Sequence, residues 1–239
     1  MPGARFDELA SPALKSGEIA AVSAKFAEGY ARIREVTDRD GACPAWAKAL
    51  YMASAAAVKG QRELLAGELA RAQALGLARG DAEGAALAVL ISRGEGAYAA
   101  FAAALRSAYG AAGTASSAGA QERPRFEVDR EAALAYFRGA LGSVPPYVTL
   151  LAELSPRALE GYVLMREWSL GENRLAARHV ELMLCTINAA EYAPRFVALH
   201  AASARRAGAS QAEIVEALLC AIPVAGMVAW LSAAEAIVD

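Results

Sequence analysis

The stretch RHVELMLCTINAAEYAPRFVALHAASARRAGASQAEIVE, residues 178–216, decides how this chain is read. Val180, Met183, Leu184 and Ile187 recur at helical spacing, a period that a strand does not carry. The EYAP sequence at 191–194 interrupts the pattern, and Pro194 suits the first turn of a new helix. That helix is expected to stop at Gly208. Ser210-Gln-Ala-Glu213 then has the form of a capping box that opens a third helix. Two helices joined by so short a break are expected to pack antiparallel.

The same stretch holds both histidines of the chain, His179 and His200. Glu181, Cys185 and Asn188 are spaced i, i+4, i+7 and share one helix face. Phe196, His200 and Ser203 share a face of the next helix by the same spacing. Antiparallel packing would bring Glu181 to His200 in an apolar cleft. A carboxylate beside an imidazole fixes its tautomer and lets the ring carry a proton, the arrangement of general acid–base catalysis. By spacing alone the commoner reading of His200 is an ordinary helix residue packed among alanines, and that of Glu181 an exposed residue or one in a surface ion pair with Arg178. His179 is expected at the surface. Glu191 and Tyr192 flank the helix break, where they can line a cleft.

The rest of the chain also reads as helix. Ile19, Val22, Phe26, Tyr30 and Ile33 place one helix over 16–36, and the DRDGACP stretch at 38–44 ends it. Further helices are expected over 45–58, 61–75, 82–91 and from Gly96 to Tyr109. No segment shows the alternation of a strand. GAAGTASSAGAQERP, residues 110–124, is small, polar and aperiodic, and reads as a flexible linker.

Beyond the linker the pattern recurs. Glu28-Gly29-Tyr30, followed by Arg34-Glu35, returns as Glu160-Gly161-Tyr162, followed by Arg166-Glu167. At that same offset of 132 residues Leu50 falls on Leu182, Gly76 on Gly208, Gly94 on Gly226 and Tyr98 on Trp230. The expected organisation is therefore a first helical repeat over 1–109, a linker over 110–125 and a second repeat over 126–239. Glu181 and His200 fall on Ala49 and Glu68 of the first repeat, so the candidate pair exists only in the second.

Composition narrows the function. Apolar residues make up 56% of 239, enough for a sizeable core, and the net charge of −2 offers no basic face for nucleic acid. Cys43, Cys185 and Cys220 are odd in number and widely spaced, which argues against a disulfide framework or a zinc cluster. Charges in MPGARFDEL speak against a secretory signal, so a cytoplasmic location is expected. Ala217–Ala234 carries no charge, but Pro223 and Gly226 interrupt it, and a buried helix is expected there rather than a membrane span. No glycine-rich phosphate loop, Ser/His/Asp set or CxxC is present.

Glu181, His200, Ala204, Gly208, Ser210 and Glu213-Ile214 together resemble the carboxymuconolactone decarboxylase and alkylhydroperoxidase D superfamily. The AGMVAW sequence at 225–230 is similar to that family's final helix. The clear likeness covers about residues 175–237, and the first repeat shares it faintly. The resemblance implies an all-α fold of tandem duplicated alkylhydroperoxidase D-like helical domains. The peroxidase branch carries a CxxC at positions that here are Ala193 and Phe196, which removes its disulfide cycle. The cysteine-free branch implies a lyase without cofactor or metal, acting on a small carboxylated lactone or a related ring-derived acid. His200 would be the proton carrier and Glu181 its orienting partner. Arg178 or Arg195 would hold the substrate, with Cys185, Asn188, Tyr192 and Phe196 lining the cleft. The resemblance also implies self-association, as a homotrimer of two-repeat chains with sites near subunit contacts, and no nucleic-acid or membrane partner. A catalytically silent oligomeric binding protein, or redox chemistry at Cys185, are the alternatives.

Overall fold

A computed structural model of the chain describes residues 11–110 and 126–238. Of the linker expected over 110–125, residues 111–125 lie outside those described. The fold is all-α, and the described residues contain no strand. The chain divides into two compact units, Met1–Ala112 with Arg174–Asp239, and Gly113–Asn173. The first unit opens with α1 (Pro12–Lys15), α2 (Glu18–Val22), α3 (Ala24–Asp38), α4 (Ala45–Val58), α5 (Arg62–Ala74) and α6 (Arg79–Tyr109). The second unit holds α7 (Arg130–Leu141), α8 (Pro146–Leu154) and α9 (Pro156–Glu167). The chain then returns to the first unit with α10 (Ala177–Ala190), α11 (Pro194–Arg206), α12 (Gln211–Leu219), α13 (Ile222–Ala225) and α14 (Met227–Ala234). The repeat read from sequence and the compact unit thus have different limits.

Helix boundaries follow the sequence recurrence closely. α10 begins and ends 132 residues after α4, and α11 stands in the same relation to α5. Gly94 interrupts α6 at φ 78°, and its counterpart Gly226 separates α13 from α14 at φ 81°. An L side chain disfavours that backbone region, so glycine stands at both breaks. Two expected helices are divided. The one over 16–36 breaks at Ser23, whose extended backbone lets its hydroxyl accept from the Phe26 N–H at 3.2 Å and cap α3. The uncharged stretch 217–234 is not a single buried helix but three pieces, and Met227, Val228 and Leu231 are exposed. Among the described residues no helix is long and apolar enough to cross a membrane.

α10 is the centre of the first unit. Every residue from His179 to Ala190 is buried, with α4, α11 and α12 packed against it. This overturns the expectation that His179 lies at the surface. α4 covers that side of α10, so His179 is only 6% exposed and its Nδ1 is hydrogen-bonded to the Tyr51 hydroxyl, 2.6 Å away. The Trp46 ring meets it edge-on. Burial, and then the positive charge of Arg178, push the His179 imidazole down to about 4. Thr186, on the same helix, donates to the Ala217 carbonyl of α12 at 2.7 Å.

Two ionic clusters tie the unit together. The Glu216 carboxylate of α12 accepts from the Ala42 N–H at 2.8 Å, the Cys43 N–H at 2.9 Å and the Lys48 ammonium at 2.9 Å. Lys48 also donates to the Val36 carbonyl at 2.6 Å and is itself 1% exposed. Gly41 makes room for this carboxylate, since a Cβ there would fall 2.3 Å from Glu216 Oε1. In the second cluster Arg34 of α3 meets Asp38 and Glu68, and Arg71 meets the same two acids. Two cations and two carboxylates balance in a buried space, which avoids the cost of an unpaired charge. Glu68 occupies the position that corresponds to His200.

The second unit has its own small core of Ala133, Phe137, Val148, Ala152, Leu159 and Val163. Arg166, the counterpart of Arg34, lies against the rings of Tyr136, Phe137 and Tyr162 at 5.6–6.0 Å. One arginine position is thus served by carboxylates in the first half and by aromatic faces in the second.

Replacing Glu216 with Ala should destabilise the fold by about 3–5 kcal/mol, because the buried Lys48 ammonium loses its counter-charge. Gly41→Ala should cost about 1–3 kcal/mol by crowding the same carboxylate. Urea unfolding of both variants checks this, and changes within about 0.5 kcal/mol would remove the staple from the account. His179 gives a pH signature. Its unfolded pKa is about 6.5 and its folded value lower, so the unfolded chain binds the extra proton between the two. Its contribution is complete above the unfolded value and is lost as pH falls through the window to about 4. The difference in urea midpoint between wild type and His179→Gln should therefore shrink steadily from pH 7 to pH 4. A constant difference would mean that His179 does not titrate as its burial requires.

Candidate active site

The connection between α10 and α11 is residues 191–193, so the helices fold back as a hairpin and their facing side chains meet. Pro194 sits in the first turn of α11, where its missing N–H has no helical partner to lose. Tyr192 takes φ 56°, the only positive φ outside glycine among the described residues, and its counterpart Gly60 has φ 71°. A tyrosine in that region carries strain that neighbouring contacts must offset. The Tyr192 hydroxyl donates to the Ala225 carbonyl at 2.7 Å, and the Lys59 ammonium lies over its ring.

The hairpin brings Glu181 and His200 together. Nδ1 of His200 lies 2.7 Å from Oε2 of Glu181. The carboxylate side chain is 7% exposed and the imidazole 16%. A carboxylate can only accept, so Nδ1 carries the hydrogen and the tautomer is set. Nε2 is then the nitrogen left for chemistry. The pair lies between two helices whose facing residues, Val197, Ala201 and Ala204 on α11 and Leu182 and Cys185 on α10, are buried and apolar. On the outer side of α11, Phe196 is 50% and Leu199 39% exposed, so the surface flanking His200 is apolar as well.

The other residues named from sequence occupy distinct places. Cys185, one turn after Glu181, is fully buried, and burial followed by the Glu181 charge pushes its thiol far up. Asn188 is 1% exposed, donates to the Leu184 carbonyl and accepts from Arg93 at 2.6 Å. Arg93 also pairs with Glu191, which fixes the turn end of the hairpin. Tyr192 is bonded at that same end. Arg178 reaches Glu213 of α12 at 3.5 Å rather than Glu181. Arg195 and Phe196 are exposed in the first turn of α11. Glu213 completes the expected capping box, accepting from the Ser210 N–H at 2.7 Å.

A further cation was not anticipated. Arg206, in the last turn of α11, donates to the Ser203 hydroxyl at 2.8 Å. Ser203 lies three residues after His200, and that spacing makes the two neighbours on the helix surface. The signal was present in the pair Arg205-Arg206 before Gly208, but basic residues at a helix end are ordinary partners of the helix dipole, and nothing in the pattern distinguished them.

Residues 156–239 match the model of the carboxymuconolactone decarboxylase family. That match spans about a third of the chain. Its matched segment begins at α9, includes the Glu181–His200 pair and runs through α14. No curated protein matches the chain. Among the described residues no group of three or more His, Cys, Asp or Glu side chains is placed to hold a metal ion. The arrangement can do one thing directly: hold an imidazole with a fixed tautomer at the edge of an apolar surface and pass a proton through Nε2.

All three cysteines are free and buried. A small aromatic disulfide reagent at pH 8 should titrate none of them within minutes in the native protein and all three in urea. Fast native reaction of one thiol would show a thiolate that the burial of Cys43, Cys185 and Cys220 does not allow.

Proposed function

We propose that this protein is a cofactor-free lyase acting on a small carboxylated lactone or a related ring-derived acid. The 2.7 Å contact between Glu181 and His200 carries this reading. In such a reaction the bond to the carboxylate carbon breaks and carbon dioxide leaves. The electron pair delocalises into the lactone carbonyl. Protonated His200 then delivers its Nε2 hydrogen to carbon, and water restores the proton. Glu181 keeps Nδ1–H in place throughout, so the ring presents the same nitrogen at each turnover. The apolar Phe196 and Leu199 beside His200 would favour charge dispersal in the transition state over the solvated carboxylate.

An anionic substrate needs a cation. Arg195 and Arg206, in the first and last turns of α11, lie five residues before and six residues after His200 and are the candidates, since Arg178 is engaged with Glu213. Under the same reading the chain self-associates as a trimer, and the exposed Phe196, Leu199, Val228 and Leu231 fit a contact that would dry the mouth of the site. The two halves are copies of one helical unit, supported by helix ends and glycine breaks at a constant offset. Redox chemistry has no footing at Cys185, whose buried thiol has no thiolate to offer.

Carbon dioxide release from γ-carboxymuconolactone tests the reading. Wild type should turn over. His200→Ala should lose about 10²–10⁴ in kcat, and Glu181→Gln a smaller factor, with helicity and sedimentation unchanged. Absence of wild-type turnover in an intact protein would remove this substrate, and equal turnover in His200→Ala would remove the proton carrier.

A further inference from the structure

An open cleft of about 800 Å³ lies in the first unit between α2, the first half of α3 and the segment around Gly226. Its walls are Ile19, Phe26, Ile33, Ile222 and Met227. Neither Glu181 nor His200 lines it, so it is separate from the proton-transfer pair. Its volume falls in the range of small-molecule sites, and its character is theirs too: apolar walls with a few polar groups that set orientation.

Three polar side chains line it. Lys25, in the first turn of α3, is the single charged residue among them, and no acidic residue joins it. No ion pair of Lys25 occurs among the described residues, and the nearby Glu28 is engaged with Arg32. Ser23 caps the same turn, where the helix dipole adds positive potential. Tyr30 lines the cleft with a side chain whose hydroxyl meets Arg34. Burial raises its pKa, with Asp38 and Glu68 adding to the effect against Arg34, so it stays a neutral donor. The lining therefore carries one cation and no carboxylate to repel an anion.

We propose that the cleft binds an amphipathic aliphatic monocarboxylate, with its chain along the apolar walls and its carboxylate at Lys25. The aliphatic tail suits walls made mainly of isoleucine and methionine. The acid head suits the one charge that the lining leaves uncompensated. A second copy of the chain would meet the same apolar walls but would have to supply a carboxylate at Lys25 and a protruding segment to fill the volume.

The test uses the full chain with anilinonaphthalene sulfonate as the fluorescent probe and decanoate as the competitor. Decanoate should displace the probe saturably from a single site. Lys25→Glu, an exposed change that leaves the fold alone, should weaken decanoate about fivefold at low salt, and Lys25→Arg should preserve it. Decanol should bind both with affinities within about twofold of each other, because it has no charge for residue 25 to sense. Ile33→Trp, which fills the cleft, should abolish displacement. The proposal is overturned if decanoate fails to compete at millimolar concentration, if Ile33→Trp binds it as wild type does, or if Lys25→Glu leaves its affinity unchanged. It is equally overturned if sedimentation shows an oligomer that dissociates on Ile33→Trp and excludes decanoate, which would assign the cleft to a second copy.

Discussion

The complete burial of α10 is the constraint on which the first unit depends. A helix buried on all sides needs neighbours on all sides, and α11 alone covers one of them. α4 closes a second and α12 a third. This is why the compact unit takes in elements from both ends of the chain. It also explains the polar chemistry along α10. Tyr51 satisfies His179, Arg93 satisfies Asn188, the Ala217 carbonyl satisfies Thr186, and His200 satisfies Glu181. Each polar group on a buried helix has a partner on a different neighbour, as burial demands. Of these four contacts only the last leaves a titratable nitrogen on the surface side.

The two halves of the recurrence solve one local problem in different ways. Where α5 places Glu68, a carboxylate is neutralised by Arg34 and Arg71 with Asp38 as fourth member. Where α11 places His200, a single carboxylate from the adjacent helix suffices. The first arrangement has no unsaturated partner with which to do chemistry, since its charges balance internally. The second leaves Nε2 open. The contrast rests on two positions, Ala49 against Glu181 and Glu68 against His200. The same contrast appears at the turn, where Gly60 is replaced by Tyr192 in a backbone conformation that glycine would accept without cost.

Much of this was legible in sequence for simple reasons. Gly76 and Gly208 follow the ends of α5 and α11 at the fixed offset, Pro44 and Pro194 stand at the starts of α4 and α11, and Ser210 caps α12, and those residues act through their own local geometry. The Glu181–His200 contact followed from two spacings and one short connection. His179 and Arg206 were not legible. Whether His179 faces solvent depends on α4, which is contributed by residues more than a hundred positions earlier. Arg206 matters only through Ser203, a contact between side chains that helix periodicity permits without requiring. The uncharged stretch at 217–234 misled in a third way, because low polarity signals burial but does not reveal that Gly226 turns the chain and leaves Met227 and Val228 exposed.

Sequence by itself determined the all-helical class, the hairpin that carries the pair and the recurrence of its elements. Each of these rests on local backbone preferences and on periodicity within one helix, which neighbouring residues encode. Tertiary structure alone decided that the first half packs against α10, that Glu216 reaches back to the Ala42–Cys43 turn and to Lys48, and that an apolar cleft opens beside Lys25. Those contacts join residues far apart in the chain, and their energies come from burial and charge neutralisation in space, for which a linear order of residues holds no direct record.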